Sequence, residues 1–223
     1  MNVAMEINNR AARLIECDRF SEALNLLGSA LELVKNQIDS ESQTTTVQDA
    51  NSGAGPSHDE TCRKETIKRR VLQLKKLGCG DDFLYDKPIY VKNIPVNHFD
   101  YISVILIFNM ALCNHLSVLE TDDCVTKEVR LQSALKLYEL GFQMHMKGDL
   151  YLDMTYALAM INNCALIYKV LNRQRRAQKF LTHMLSSLMI MIECGEASSL
   201  DELDGFLKNA SRIILKEAVA PAA

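Results

Sequence analysis

Apolar residues recur at helical spacing from the start of the chain. Met5, Ala12 and Ile15 interleave with Ile7, Ala11 and Leu14, which predicts a helix from Met1 to Cys17. Asp18 and Arg19 make a turn. Phe20, Ala23, Leu24, Leu27, Ala30, Leu31 and Val34 then predict a second helix from Phe20 to Ile38. A pair joined by so short a turn packs antiparallel. Asp39 to Arg63 holds Ser, Thr, Gln, Asn, Asp, Gly and Pro with almost nothing apolar, so a disordered linker is expected over 39–63.

The pattern resumes in a different key. Residues 64–96 form a basic segment followed by an extended arm. In the first, Lys68, Arg69, Arg70, Lys75 and Lys76 surround Ile67, Val71, Leu74 and Leu77. A charged stretch of this kind is either a solvated face or a patch for nuclear import or an acidic partner. In the second, Phe83 to Val91 (FLYDKPIYV) is aromatic and β-branched with Pro88 inside, which suits an edge strand or a free extended arm. Its five large apolar side chains are too many to leave in water, so the arm is expected to lie on the helices, near Ile105, Phe108 and Leu112.

Helical spacing returns over 97–193. Asn97 or Asp100 caps a helix running to about Leu119. Thr121 to Thr126 is a loop. Helices follow at Lys127 to Met146, Asp149 to Leu171 and Arg173 to Glu193. Ser199 with Glu202 reads as a capping box opening a last helix over 199–217, with Leu203, Phe206, Leu207, Ala210 and Ile214 on one face. Tyr101 to Leu119 is the most apolar stretch, but its Ser103, Asn109, Asn114, His115 and Ser117 favour a buried core helix over a membrane span.

Three of these helix pairs share one signature. Asn is followed two residues later by Ala in each first helix: Asn9 and Ala11, Asn109 and Ala111, Asn163 and Ala165. Each second helix carries Ala, a large residue at +4 and a packing residue at +7: Ala23, Leu27, Ala30; Ala134, Tyr138, Gly141; Ala177, Leu181, Met184. The step from Asn to the second-helix Ala is 14 residues in the first and third pairs and 25 in the second, the excess falling in the Thr121 loop. Small residues let two helices approach, and stacked pairs share a core that one pair cannot bury.

This pattern resembles the tetratricopeptide repeat (TPR), most closely in NNRAARLIECDRFSEALNLLGSAL (Asn8 to Leu31), then in INNCALIYKVLNRQRRAQKFL, and least in the second pair. The order of segments, from FLYDKPIYV through FNMALCNHL and LQSALKLYELGFQMH to DELDGFLKN, is also similar to an expanded set of TPR-like proteins from diatoms that bring no known activity. The resemblance implies an all-α, TPR-like stack of three antiparallel helix pairs plus a C-terminal capping helix, with one short extended arm, as one folded domain. It implies a concave groove lined by the first helices: Met5, Asn8, Asn9, Ala12 and Glu16; Ile105, Phe108, Asn109, Leu112 and His115; Ala159, Asn162, Asn163, Leu166 and Lys169. Asn8, Asn9, Asn109, Leu112, His115, Asn162, Asn163 and Lys169 are the expected partner-binding residues. An Asn amide both donates to and accepts from a peptide backbone, and the alternative use of the same side chains is bonding between neighbouring helices. The clamp by which some TPR domains hold a chaperone's terminal carboxylate is disfavoured. Met5, Ile105 and Ala159 stand where it places cations, and Asn163 where its third member is charged.

Composition narrows the class. Nine glycines and four prolines are few for a sandwich or barrel. A net charge of −3 gives no reason to expect nucleic acid. Seven cysteines without a C-x-x-C pair, and no basic flank before an apolar run at the N-terminus, lead to an expectation of reduced thiols in a cytoplasmic protein. The five histidines form no metal pair. Cys113 and His115, two apart on a helix, point to different sides and make a poor dyad. No catalytic motif is present, so no cofactor or enzymatic activity is expected. The leading expectation is a module that binds an unidentified protein or peptide. A self-assembly module and a pocket enzyme are the alternatives.

Overall fold

The computed structural model describes residues 2–41, 82–91, 99–147, 153–193 and 203–211. It is all-α: α1 (Asn2–Glu16), α2 (Phe20–Glu41), α3 (Phe99–Ser117), α4 (Cys124–Lys147), α5 (Met154–Val170) and α6 (Gln174–Glu193), with a 3-10 turn at Val118–Glu120. Residues 203–211 form a last helix, named α7 here. No strand occurs among the described residues, so Phe83 to Val91 is an extended arm and not an edge strand.

Each helix from α1 to α6 packs on the next, and α1 also touches α3. The inner helices α3 and α5 are apolar almost all round and buried almost all round. The 22-residue stretch Phe99–Glu120 is long and apolar enough to cross a membrane, but 83% of its most apolar window is buried inside the stack. The outer helices α1, α2 and α6 bury one stripe each. In α2 these are Phe20, Ala23, Leu27, Ala30 and Val34, and in α6 Ala177, Leu181, Met184, Leu188 and Met191. Gly141 lets α4 and α5 close up: a Cβ there would stand 3.0 Å from the Met160 sulfur.

The α1–α2 and α5–α6 hairpins are built alike. Asp18 and Asn172 hold positive φ (57° and 56°), a conformation that Asp and Asn tolerate better than most residues. Behind them, Arg19 N–H donates to Leu14 C=O and Arg173 N–H to Tyr168 C=O, both at 2.8 Å. Asp18 follows Asn9 at the distance at which Asn172 follows Asn163. The two hairpins that share the 14-residue step are thus closed by the same turn.

Several expected boundaries move. α2 takes in residues 39–41, beyond the Ile38 end read from the pattern. α4 starts at Cys124 and not Lys127, because the Asp123 carboxylate accepts from the Thr126 N–H (2.9 Å) and its hydroxyl. Those bonds hold Asp123 ionised below its ordinary range. α5 opens at Met154 and not Asp149: Asp153 is its N-cap, at non-helical φ and ψ, accepting from Thr155 N–H. The chain from 42 to 81, with most of the expected linker and all of the basic segment, lies outside the described residues, as do Asn97, Gly148 and the Ser199–Glu202 capping box.

Candidate functional site

The arm runs across the stack in reverse order of the helices, from α7 past α5 and α3 to α1. Four of its residues are held through both main-chain groups by an asparagine amide. Asn209 accepts from Phe83 N–H (2.9 Å) and donates to its C=O (2.7 Å). Asn163 does the same for Tyr85 (3.2 and 3.0 Å), Asn109 for Ile89 (2.8 and 2.9 Å), and Asn9 for Val91 (2.7 and 2.9 Å).

These amides work in threes. Asn109 donates to Asn8 (2.9 Å), which donates to Asn9 (3.3 Å) and to Ile89 C=O (3.0 Å). Asn209 donates to Asn162 (2.6 Å), which donates to Asn163 (3.2 Å) and to Phe83 C=O (3.0 Å). The two relays have the same connectivity. In each, an Asn doublet on one helix meets a single Asn on another, and together they clamp two arm residues two apart. Phe83 and Tyr85 stand to the second relay as Ile89 and Val91 stand to the first, six residues on. Each relay bridges two helices, which is the helix–helix use of these side chains, and also holds the chain's own arm.

Alternation is what an extended chain requires. Residues two apart present their N–H and C=O to the same side, so a row of amides can take every second one. Asp86, Lys87 and Pro88 separate the two clamped triplets. Lys87 is exposed, while Pro88, which has no N–H to satisfy, is buried. Leu84, Tyr85, Ile89 and Val91 are each no more than 6% exposed.

Aromatic packing surrounds the first triplet. The Phe83 ring meets Phe206 edge-on at 5.3 Å, and Tyr85 stacks on the same ring at 6.0 Å and 13°. Tyr85 also meets Phe108 at 6.2 Å, and Phe108 meets Tyr138 at 5.7 Å. Asn163 donates to the Tyr138 hydroxyl at 3.0 Å. Burial drives the Tyr138 phenol well above its ordinary pKa, with that bond pulling the other way. Gly205 seats the Phe83 ring: a Cβ at position 205 would lie 2.5 Å from it.

Both ends of the arm are latched. Lys169 reaches Asp82 at 2.5 Å, and the Asp82 side chain is 3% exposed. Tyr90 donates to Glu16 at 2.9 Å.

Among the residues expected to bind a partner, Asn8, Asn9, Asn109, Asn162 and Asn163 hold the arm, and Lys169 holds Asp82 just before it. Leu112 and His115 do not line an open surface. Both are buried, with His115 edge-on against Tyr138 at 6.1 Å. Its Nδ1 has no hydrogen-bond partner among the described residues, and burial lowers its pKa to about 4. Cys113 is also fully buried.

Three participants were not visible in the pattern as site residues. Asn209 lies in Asn-x-Ser, not Asn-x-Ala, and α7 read only as a lid. Its Asn three residues after a large apolar residue, Phe206, was the available signal, since Asn109 follows Leu106 in the same way. Tyr138 read as a packing residue, and Gly205 carried no periodic signal. The chain matches no family model, no curated protein and no solved structure.

Proposed function

We propose that this chain is a protein-interaction module, TPR-like in the stacking of its helix pairs, whose relay-lined groove binds an extended segment of a partner protein. In this reading the arm is the resident occupant of that groove. The observation that carries it is the set of four two-handed amide clamps. They read main chain, so the same donors and acceptors serve any extended segment that follows the same track. A helical stack needing only apolar cover would gain it without four such amides in register.

The arm competes from within the chain, at an effective concentration on the order of millimolar. A partner therefore binds weakly until the arm is loosened. The test uses the full chain with both triplets loosened (Phe83→Asp, Tyr85→Asp, Ile89→Asp and Val91→Asp), with helicity checked by circular dichroism, and a fluorescent peptide of sequence FLYDKPIYV. The expected result is saturable binding at least about tenfold tighter than to the unaltered chain. Absence of saturable binding to both forms would sink the reading.

A further inference from the structure

The two relays are alike in their main-chain bonds and unlike in what surrounds them, and this bears on which segments the groove accepts. The clamps themselves do not discriminate, because every non-proline residue offers one N–H and one C=O. Discrimination falls to the side chains of the clamped residues. At the first triplet, the Phe83 and Tyr85 rings both pack on Phe206, and Phe83 fills a hollow that exists only because residue 205 has no Cβ. Tyr85 reaches a second ring, Phe108. At the second triplet the clamped side chains are the aliphatic Ile89 and Val91, both buried in the hydrophobic core. The intervening Lys87 faces solvent.

We propose that the groove selects partner segments carrying an aromatic-x-aromatic triplet followed, six residues on, by an aliphatic-x-aliphatic triplet, and that Gly205 and Phe206 are the residues that impose the aromatic half. This rests on the reading of the groove as a partner site. The spacer between the triplets carries no apolar requirement except at its last position, where Pro88 is buried. Flat rings gain from edge-on and stacked contacts that a branched aliphatic chain cannot make. A Cβ at position 205 occupies the ring's own space, so it penalises an aromatic and spares a small side chain.

The test measures four peptides against the full chain with its arm loosened at both triplets (Phe83→Asp, Tyr85→Asp, Ile89→Asp and Val91→Asp), with and without Gly205→Ala. One peptide is the natural arm sequence. A second has Leu at both aromatic positions, a third exchanges Ile and Val in the second triplet, and a fourth has Ala in the first position. The two-Leu peptide is expected to bind about tenfold more weakly than the natural one, and the exchanged peptide within about threefold of it. Gly205→Ala is expected to cost the natural peptide about tenfold and the Ala peptide less than about threefold. Equal affinity of the natural and two-Leu peptides overturns the proposal, as does a Gly205→Ala loss that is the same for every peptide. Either result leaves the groove as a partner site intact. Failure of all four peptides to bind overturns both. If Gly205→Ala reduces helicity, the unaltered chain serves instead. Excess natural peptide should then raise hydrogen exchange across residues 82–91 more than the two-Leu peptide does, and equal displacement overturns the selection.

Discussion

The two asparagine relays are the same device set in different surroundings. Each takes three amides from two helices and spends them on two alternate arm residues. The Asn9 bonds to Val91 are part-buried, and the nearest latch is a tyrosine–carboxylate bond that is part-buried as well. At the other relay the bonds of Asn163 to Tyr85 are buried while those of Asn209 to Phe83 are part-buried, and the Asn163 amide also satisfies the Tyr138 hydroxyl inside a chain of five rings from Phe83 through Phe206, Tyr85 and Phe108 to Tyr138. The comparison teaches that a hydrogen-bond pattern alone does not set the strength of a clamp. The same bonds cost far more to lose where water cannot replace them.

The largest expected effect comes from breaking the aromatic end. Phe206→Ala removes a ring with no exposed surface that supports both Phe83 and Tyr85. It should lower the unfolding free energy in urea by about 3–5 kcal/mol. A loss below about 1 kcal/mol would show α7 and the first triplet to be loosely held, and would erase the asymmetry.

Acid gives a second way to load that end. His115 packs on Tyr138, and burial holds its pKa at about 4 against an ordinary 6.5. Above pH 6.5 both folded and unfolded chains carry it neutral. Between pH 6.5 and pH 4 the unfolded chain takes a proton that the folded chain refuses, so stability falls by on the order of 3 kcal/mol and then levels off. His115→Leu should flatten that part of the pH profile, and an unchanged slope would remove His115 from the account.

The sharpest comparison is also the smallest in magnitude. Asn163→Ala strips partners from the Tyr85 N–H and C=O and the Tyr138 hydroxyl in a dry site, for about 2–3 kcal/mol. Asn9→Ala strips the same two main-chain groups from Val91 where water can enter, for about 1 kcal/mol. Equal losses by chemical denaturation would mean that surroundings do not matter and that the relays are equivalent in energy as well as in connectivity.

Much of this was legible in the sequence, and the omissions have physical reasons. Asn9 and Asn163 stood out through the Asn-x-Ala signature, and Asn8 and Asn162 through the groove that the resemblance implied. The docking of the arm followed from its apolar content, which has nowhere else to go. Helix starts were misplaced at Cys124 and Met154 because a cap such as Asp123 or Asp153 outranks the first apolar residue in deciding where a helix begins. The relays were illegible because they join Asn8 to Asn109 and Asn162 to Asn209, and periodicity reports faces of one element, not partners across elements. Leu112 and His115 show the same limit: their helix is buried all round, so sharing a face with Asn109 did not place them in an open groove.

The separation in sequence between arm and clamps has a consequence for how the chain is assembled. The helix hairpins join near neighbours and form quickly, whereas Val91 meets Asn9 across 82 residues and Phe83 meets Asn209 across 126. Contacts that close such long loops come late in folding. On the ribosome, where synthesis runs from the N-terminus, the aliphatic triplet can seat once the helix bearing Asn109 has emerged. The aromatic triplet has to wait about a hundred residues more for Asn209, some seconds at about 5–20 residues per second. Tyr85 meets its clamp Asn163 sooner, but for that interval Phe83 is an apolar group without its seat, and the first triplet is only half held.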